Sequence, residues 1–352
     1  MTKLIIQIPC YNEEETLPQT VADLPRAIDG IDVIETMIVD DGSADRTIAV
    51  AQQIGVDHII RNKQNIGLAR TFRRGLDEAL RRGADIIVNT DGDNQYYGAD
   101  IAKLVQPILA GEADVVVGDR QTETIEHFSP GKKQLQKLGS FVVRQLSGVR
   151  VPDAVSGFRA ISREAALRLN IVSPFSYTIE MLIQVGRKHI PYAHVPVRTN
   201  PKTRESRLFS SIGKFIERSG TTMVRMYAMY QPLRVFTLIG GIMLIIGLLP
   251  IIRFVILYLM GQGSGMIQSL VIGGALLVIG FITLLLGLVA DLINYNRQLV
   301  EIMLEKIRRL ELSQPGSEGS ETRLERDAPA PGSVEGETVE GAAGAEAGEE
   351  RH

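Results

Sequence analysis

Val33-Ile34-Glu35-Thr36-Met37-Ile38-Val39-Asp40-Asp41-Gly42-Ser43 carries the chain from an apolar, β-branched run into two acids and a glycine. A run of this kind closed by turn formers reads as a strand, and 44–54 after it reads as a helix. The same step recurs on both sides. Leu4–Ile8, His58–Arg61, Asp85–Asn89 and Asp114–Val117 read as further strands, with helices over 13–28, 66–82 and 99–110. Strand–helix alternation predicts an α/β fold whose mostly parallel sheet carries helices on both faces. Ligands of such sheets bind at the carboxyl ends of the strands.

The polar motifs fall at those ends. The first strand runs into Pro9-Cys10-Tyr11-Asn12-Glu13-Glu14 where a dinucleotide dehydrogenase would carry a Gly-rich turn. A Pro–Tyr–Asn–Glu turn is too bulky for backbone approach to a pyrophosphate; its acids and ring suit ribose hydroxyls and a base. In the second motif, Asp40 and Asp41 face a polar ligand, and Ser43 or Asp45 caps the next helix. The fourth strand ends Asn89-Thr90-Asp91-Gly92-Asp93-Asn94-Gln95. Carboxylates at i and i+2 of a turn can converge on one hard divalent cation, Mg²⁺ or Mn²⁺, with phosphates completing its shell. A calcium loop fits less well, because the bidentate Glu that should close it is missing.

Composition sets the frame for these motifs. The 352 residues are 45% hydrophobic and 22% charged, so the chain as a whole can bury a core. One cysteine, Cys10, excludes an internal disulfide framework and any Cys-cluster metal site. The net charge of −3 averages unlike parts: 313–352 carry −7, and the rest of the chain carries +4. That C-terminal stretch of Gly, Ala, Glu, Ser and Pro holds no aromatic residue, which predicts a disordered acidic tail.

Between core and tail lie two long apolar runs. Val235–Ile252 is 18 residues without a charge, and Phe254–Ala290 is another 37. Gly261-Gln-Gly-Ser-Gly265 divides the second run, predicting a transmembrane hairpin with helices over about 233–259 and 266–290. Arg218, Arg225 and Arg234 precede it and Arg297, Lys306, Arg308 and Arg309 follow it. By the positive-inside bias both termini face the cytoplasm, giving a multi-pass protein of the cell (inner) membrane. The expected organisation is a cytoplasmic α/β domain over 1–208, an amphipathic interface helix over 209–232, the hairpin over 233–290, a cytoplasmic helix over 291–312, and the tail over 313–352. For the amphipathic stretch a core-facing helix of the soluble domain is the other reading. The second hairpin helix with its extension could pair subunits into a homo-oligomer.

Taken together and in order, Pro9-x-Tyr11-Asn12-Glu13, Val39-Asp40-Asp41-Gly42-Ser43, Asn65-x-Gly67 and Asp91-x-Asp93 resemble the family-two glycosyltransferases of the GT-A fold. Asp153-x-x-Ser156-Gly157-Phe158-Arg159, with Arg120 after the fifth strand, is similar to the polyprenyl- or dolichyl-phosphate sugar transferase branch, the dolichol-phosphate mannose synthase-like members. The resemblance spans roughly 1–300. It implies inverting transfer of one hexose from a nucleotide diphosphate sugar to a lipid phosphate. UDP-glucose or UDP-N-acetylglucosamine is the favoured donor and GDP-mannose the next. It implies that Asp91, Asp93 and Gln95 hold Mg²⁺ or Mn²⁺, and that Pro9, Tyr11, Glu13, Asp40, Asp41 and Asp91 hold the nucleotide sugar. Asp93, Asp153 and Arg120 are the expected catalytic residues, and Lys133, Arg159 and Arg204 the expected contacts to lipid phosphate. Family members often show Gly-x-Ser-Lys before the last amphipathic helix, where this chain has Arg204-Glu205-Ser206-Arg207.

The chemistry agrees with the residue types. A phosphate acceptor is already ionised near neutral pH, so no strong general base is required, and no His stands in a motif. A processive polysaccharide synthase of the same superfamily would need Gln-x-x-Arg-Trp, which a chain without Trp cannot contain. The alternative from another class is a membrane-tethered binding protein without turnover, with the acidic tail recruiting a basic partner. Nothing in the chain points to nucleic acid as a partner.

Overall fold

The structure, a computed structural model, describes residues 1–121, 144–145, 147–172, 177–201, 229–261 and 267–313. Lys133, Arg204, most of the expected interface helix, the turn after Gly261 and the tail from 314 lie outside the described residues.

Seven strands form one sheet: β1 (Lys3–Cys10), β2 (Val33–Asp40), β3 (His58–Arg61), β4 (Ile86–Asn89), β5 (Val115–Asp119), β6 (Arg159–Ser162) and β7 (Tyr192–Pro196). Their spatial order is β3-β2-β1-β4-β6-β5-β7. All pairs are parallel except those of β6, which runs antiparallel between β4 and β5. The reversed strand decides where the site assembles. Asn89 pairs with Arg159, and so does Val117. The loop entering β6, residues 153–158, is therefore delivered to the edge where the parallel strands end.

Helices α1 (Leu17–Ala22), α2 (Thr47–Gln53) and α4 (Ile101–Leu109) cover one face of the sheet, and α3 (Leu68–Arg81), α5 (Arg163–Arg168) and α6 (Tyr177–Arg187) the other. Side chains alternate between faces along a strand. Accordingly Leu4, Ile6 and Ile8 enter the core under α1 and α4, while Ile5, Met37 and Val39 enter the one under α3. Each strand and helix expected between residues 4 and 117 is present. Helix α1 is the one much shorter than its expected span: Glu13 and Thr16 are engaged in the turn before it, and it stops at Ala22, ahead of Pro25.

Helices α7 (Pro232–Leu259) and α8 (Ile267–Ser313) are both long and apolar enough to cross a membrane. They pack antiparallel on a seam of glycines spaced by seven. Apart from Pro232 at the start of α7, the buried positions are Gly240 and Gly247 of α7 and Gly273, Gly280, Gly287 and Asn294 of α8. Between helices in lipid, close packing of small residues replaces the hydrophobic effect as the driving force, and a seven-residue repeat keeps one seam facing its partner. A Cβ added at Gly247 would stand 2.9 Å from the Gly273 carbonyl oxygen. One at Gly274, a residue further round, would meet nothing within 4 Å. Gly273→Val is therefore expected to lower the apparent melting temperature of the detergent-solubilised protein through overpacking of about 1–3 kcal/mol. Gly274→Val is expected to leave it nearly unchanged, and thermal unfolding followed by intrinsic Tyr fluorescence reads both.

Beyond Ala290 the second helix does not end. It continues unbroken to Ser313, so the helix expected over 291–312 is one element with the membrane-length segment, as a continuation of it. This extension lies against the α/β domain. Glu301 pairs with Lys188 at 3.0 Å, and Arg308 pairs with Asp77 at 3.2 Å while donating to the Leu169 carbonyl at 2.9 Å. Arg309 pairs with Glu164, and Leu312 packs on the core cluster under α3.

Candidate functional site

Four chain segments meet at the carboxyl edge of the sheet. The first follows β1, where Pro9 is buried in the strand, Tyr11 is exposed and Glu13 is buried. Asn12 adopts φ 57°, which turns its backbone N–H onto Ser43 Oγ at 2.9 Å and lets its Oδ1 accept from Ala44 N–H at 2.9 Å. Glu13 N–H donates to Thr47 Oγ1 at 2.8 Å, which ties this turn to the start of α2. The Thr16 hydroxyl lies 2.8 Å from both Glu13 Oε2 and the Gly92 carbonyl, linking the first turn to the Asp91–Gln95 turn after β4. An open depression of about 370 Å³ lies beside Asn12, Glu13, Thr16 and Asp45.

The second segment follows β2, and the structure turns both of its acids inward. Asp40 is fully buried and accepts from Ser43 N–H at 3.2 and 3.3 Å. Asp41 accepts from Asn62 Nδ2 at 3.0 Å, Ile66 N–H at 2.8 Å and Gly67 N–H at 3.0 Å. Its carboxylate thus holds the Asn65-x-Gly67 loop, whose backbone donors would otherwise lack partners. The cap position of α2 is Arg46, not Ser43 or Asp45 as expected; Asp45 instead accepts from Thr47 N–H at 3.0 Å from the turn before it.

The turn after β4 is the densest part of the site. Asp91, Asp93 and Gln95 are half-buried within five residues. Asp93 Oδ1 accepts from Gln95 N–H at 3.1 Å, which closes a side-chain turn. Burial, with Asp93 beside it, pushes the Asp91 carboxyl up to about 7 against the opposing pull of Arg120. The turn is braced by residues with no place in the sequence reading. Asn200 Nδ2 reaches the carbonyls of Asn94 at 3.1 Å and Tyr96 at 3.2 Å. Asn89 Nδ2 donates to the Gly157 carbonyl at 2.9 Å and to Tyr177 Oη at 3.1 Å, while its Oδ1 accepts from Gln7 at 3.0 Å. An amide closing an otherwise apolar strand is the one signal by which Asn89 was findable. Asn200 and Tyr177 carry none, because they arrive from the far end of the domain.

The fourth segment is the loop ahead of β6 together with Arg120, which follows β5. Arg120 forms a two-pronged pair with Asp153, Nε to Oδ2 at 2.6 Å and Nη2 to Oδ1 at 3.0 Å. Burial alone would lower the Arg120 pKa, but Tyr96, Asp153 and Asp91 more than offset it and hold the guanidinium charged. Asp153 is itself buried, so the fork is shielded from water and geometrically fixed.

Arg159 departs from expectation. It was expected at a lipid phosphate, yet it is fully buried and donates to the carbonyls of Ser156, Thr178 and Ala154, each at 2.8 Å. Its position at the start of an interior strand points it into the domain, where it braces the 153–158 loop. Burial lowers its pKa to about 10, with Tyr177 and Asp153 opposing the shift.

Gly157 shows how tightly the loop meets the acids. A Cβ there would lie 2.8 Å from Tyr177 Oη and 3.0 Å from Asp91 Oδ1. Gly157→Ala is therefore expected to displace the Asp91 carboxylate and lower kcat/KM by about tenfold or more, with a stability loss of about 1–3 kcal/mol. A transfer assay and thermal unfolding on the same preparation separate the two effects.

The model of the family "Glycosyl transferase family 2" matches residues 5–169, from β1 through α5. The UDP-N-acetylglucosamine–dolichyl-phosphate N-acetylglucosaminyltransferase of Methanococcus voltae is 32% identical, over 54% of this chain and 83% of that protein. The polyprenol monophosphomannose synthase of Mycolicibacterium smegmatis is 29% identical, over 48% of this chain and 65% of that one. Among solved structures, glucosyl-3-phosphoglycerate synthase from Mycobacterium tuberculosis, in complex with Mn²⁺, UDP and phosphoglyceric acid, superposes with a TM-score of 0.51. It covers 64% of this chain and 78% of its own at 18% identity, a likeness of fold. With acidic and basic segments gathered at one sheet edge, and the 32% identical Methanococcus enzyme matched over 83% of its length, the chain belongs to glycosyl transferase family 2.

Proposed function

We propose that this glycosyltransferase moves a single hexose, with inversion, from a nucleotide diphosphate sugar to a polyprenyl phosphate at the cytoplasmic face of a membrane. The observation that carries the reading is the Asp91-x-Asp93 turn beside the Arg120–Asp153 fork, on a chain with two membrane-length helices. The names of the Methanococcus and Mycolicibacterium relatives, one a dolichyl-phosphate and the other a polyprenol enzyme, support the acceptor class. They differ in the sugar, and UDP-glucose or UDP-N-acetylglucosamine is favoured here over GDP-mannose.

The donor set fits a divalent cation of the Mg²⁺ or Mn²⁺ kind. Two carboxylates share one turn, and Asp91 is destabilised as an anion by burial and by Asp93. Among the described residues no three His, Cys, Asp or Glu side chains converge on one point. Such a partial shell is what Mg²⁺ uses when phosphates and water supply the remaining oxygens. Asp91, Asp93 and Gln95 would hold the ion, which when bound neutralises charge on the departing diphosphate. Arg120, fixed by Asp153 next to Asp91, presents a preorganised positive charge to the same region. Tyr11 and Glu13, with Pro9 shaping their turn, take the nucleoside; Asp40 and Asp41 support that pocket through the Ser43 turn and the 62–67 loop. In the step itself an acceptor phosphate oxygen bonds to the sugar's anomeric carbon as the bond to the diphosphate oxygen breaks. Lys133 and Arg204 are assigned to the lipid phosphate on their sequence position.

Purified full-length protein is tested with UDP-glucose, UDP-N-acetylglucosamine and GDP-mannose, each with Mn²⁺ or Mg²⁺ and undecaprenyl phosphate. A lipid-linked monosaccharide is the expected product. A labelled polymer, or no product with any donor, would overturn the proposal.

A further inference from the structure

Helix α8 presents two different faces beyond the membrane-length segment. Residues 267–290 already span about 36 Å at 1.5 Å per residue, enough for a hydrocarbon core of about 30 Å. Seven charged residues then fall between 297 and 311, so this part of the helix stands in water. One face, with Glu301, Arg308 and Leu312, is taken up by the α/β domain. The opposite face is apolar and open: Ile293, Val300, Met303, Ile307 and Leu310 are 63%, 63%, 63%, 51% and 64% exposed. A water-facing apolar stripe of this length calls for a partner.

The stripe follows a strict heptad. Ile293, Val300 and Ile307 occupy successive a positions, and Asn296, Met303 and Leu310 the d positions. We propose that this stripe is a dimer interface, in which α8 helices of two copies form a short parallel coiled coil between the membrane and residue 310. Three features select a second copy as the occupant. β-branched residues at a with Met and Leu at d are the pattern of two-stranded parallel coiled coils. Copies inserted in one membrane with the same orientation send their α8 helices out side by side and parallel, so the pattern and the only available geometry coincide. Third, the flanking charges complement each other: Lys306 at g faces Glu311 of the partner subunit at e, and both residues are exposed here. Because the α/β domain holds the other face, pairing leaves the catalytic domains attached and outward. Confinement to one plane raises the effective concentration of so short an interface.

The test uses the full chain in lipid nanodiscs and in detergent. With Cys10→Ala as background, Met303→Cys is expected to give a disulfide-linked dimer on mild oxidation. Gln298→Cys, exposed on the same helix but off the stripe, is expected to stay monomeric. By mass photometry the unmodified protein should be dimeric, and Val300→Glu/Ile307→Glu monomeric with an unchanged melting temperature. Lys306→Glu should weaken the dimer about tenfold, from two reversed charge pairs. Lys306→Glu/Glu311→Lys should restore it. A monomeric unmodified protein, equal cross-linking at 298 and 303, or no rescue by the charge swap would each overturn the proposal. So would a monomer whose Met303→Cys reacts with maleimide only after residues 314–352 are deleted, which would identify the chain's own tail as the occupant.

Discussion

Asp93→Ala is expected to lower kcat/KM for sugar transfer by about 10²–10³-fold, and Asp93→Asn by nearly as much. The pair of variants separates charge from geometry. Asparagine keeps an Oδ1 that can accept from Gln95 N–H, the bond that closes the turn at 3.1 Å, and loses only the negative charge. If the carboxylate serves a cation, Asn and Ala fail alike, and both raise the Mn²⁺ concentration needed for half-maximal binding of the nucleoside diphosphate. Activity near the unmodified level in Asp93→Asn would reduce Asp93 to a turn former. Isothermal titration of UDP and GDP with and without Mn²⁺, beside the transfer assay, reads both quantities. Chelation by EDTA is expected to abolish transfer by the unmodified protein, with recovery on adding Mn²⁺.

The second large effect belongs to the Arg120–Asp153 fork. Asp153→Ala leaves a guanidinium uncompensated whose side chain is only 13% exposed. Removing one partner of a buried pair costs about 3–5 kcal/mol, because the remaining charge keeps its desolvation penalty and loses its attraction. For a domain of this size the apparent melting temperature should fall on the order of 10 °C. Transfer should fall as well, since Arg120 no longer has a fixed direction. Replacing both residues, Arg120→Met with Asp153→Leu, is expected to recover most of the stability and none of the activity. Recovery of both would mean that the fork serves folding alone.

Much of this was legible in the residues. The alternation of apolar runs with helical stretches specified the α/β class, since each strand buried on both faces must be apolar throughout. The positions of the acids at strand ends located the site for the same reason: a polar side chain stands where the buried strand stops. Two long charge-free runs, the second divided by the glycines of 261–265, specified membrane-length helices by length and turn chemistry. Arg159 shows the limit. As a residue type it suited a phosphate, but whether an arginine faces solvent or three backbone carbonyls depends on strand direction, and the reversed β6 turns it inward. Asp40 and Asp41 were read as ligand contacts, whereas the backbone donors of two neighbouring loops reach them first.

By itself, then, the sequence determined which elements form and which edge of the sheet carries chemistry, because burial periodicity and turn chemistry are local properties. Only the tertiary structure decided that β6 inserts antiparallel between β4 and β5 and brings Asp153 and Gly157 against Arg120 and Asp91. Likewise it alone showed Asn200 and Tyr177 bracing the Asp91–Gln95 turn, and α8 docked on the domain with its heptad stripe left open. Pairings across about 30 to 230 residues are set by packing and by the competition of many donors for few buried acceptors, and no local pattern encodes the outcome of that competition.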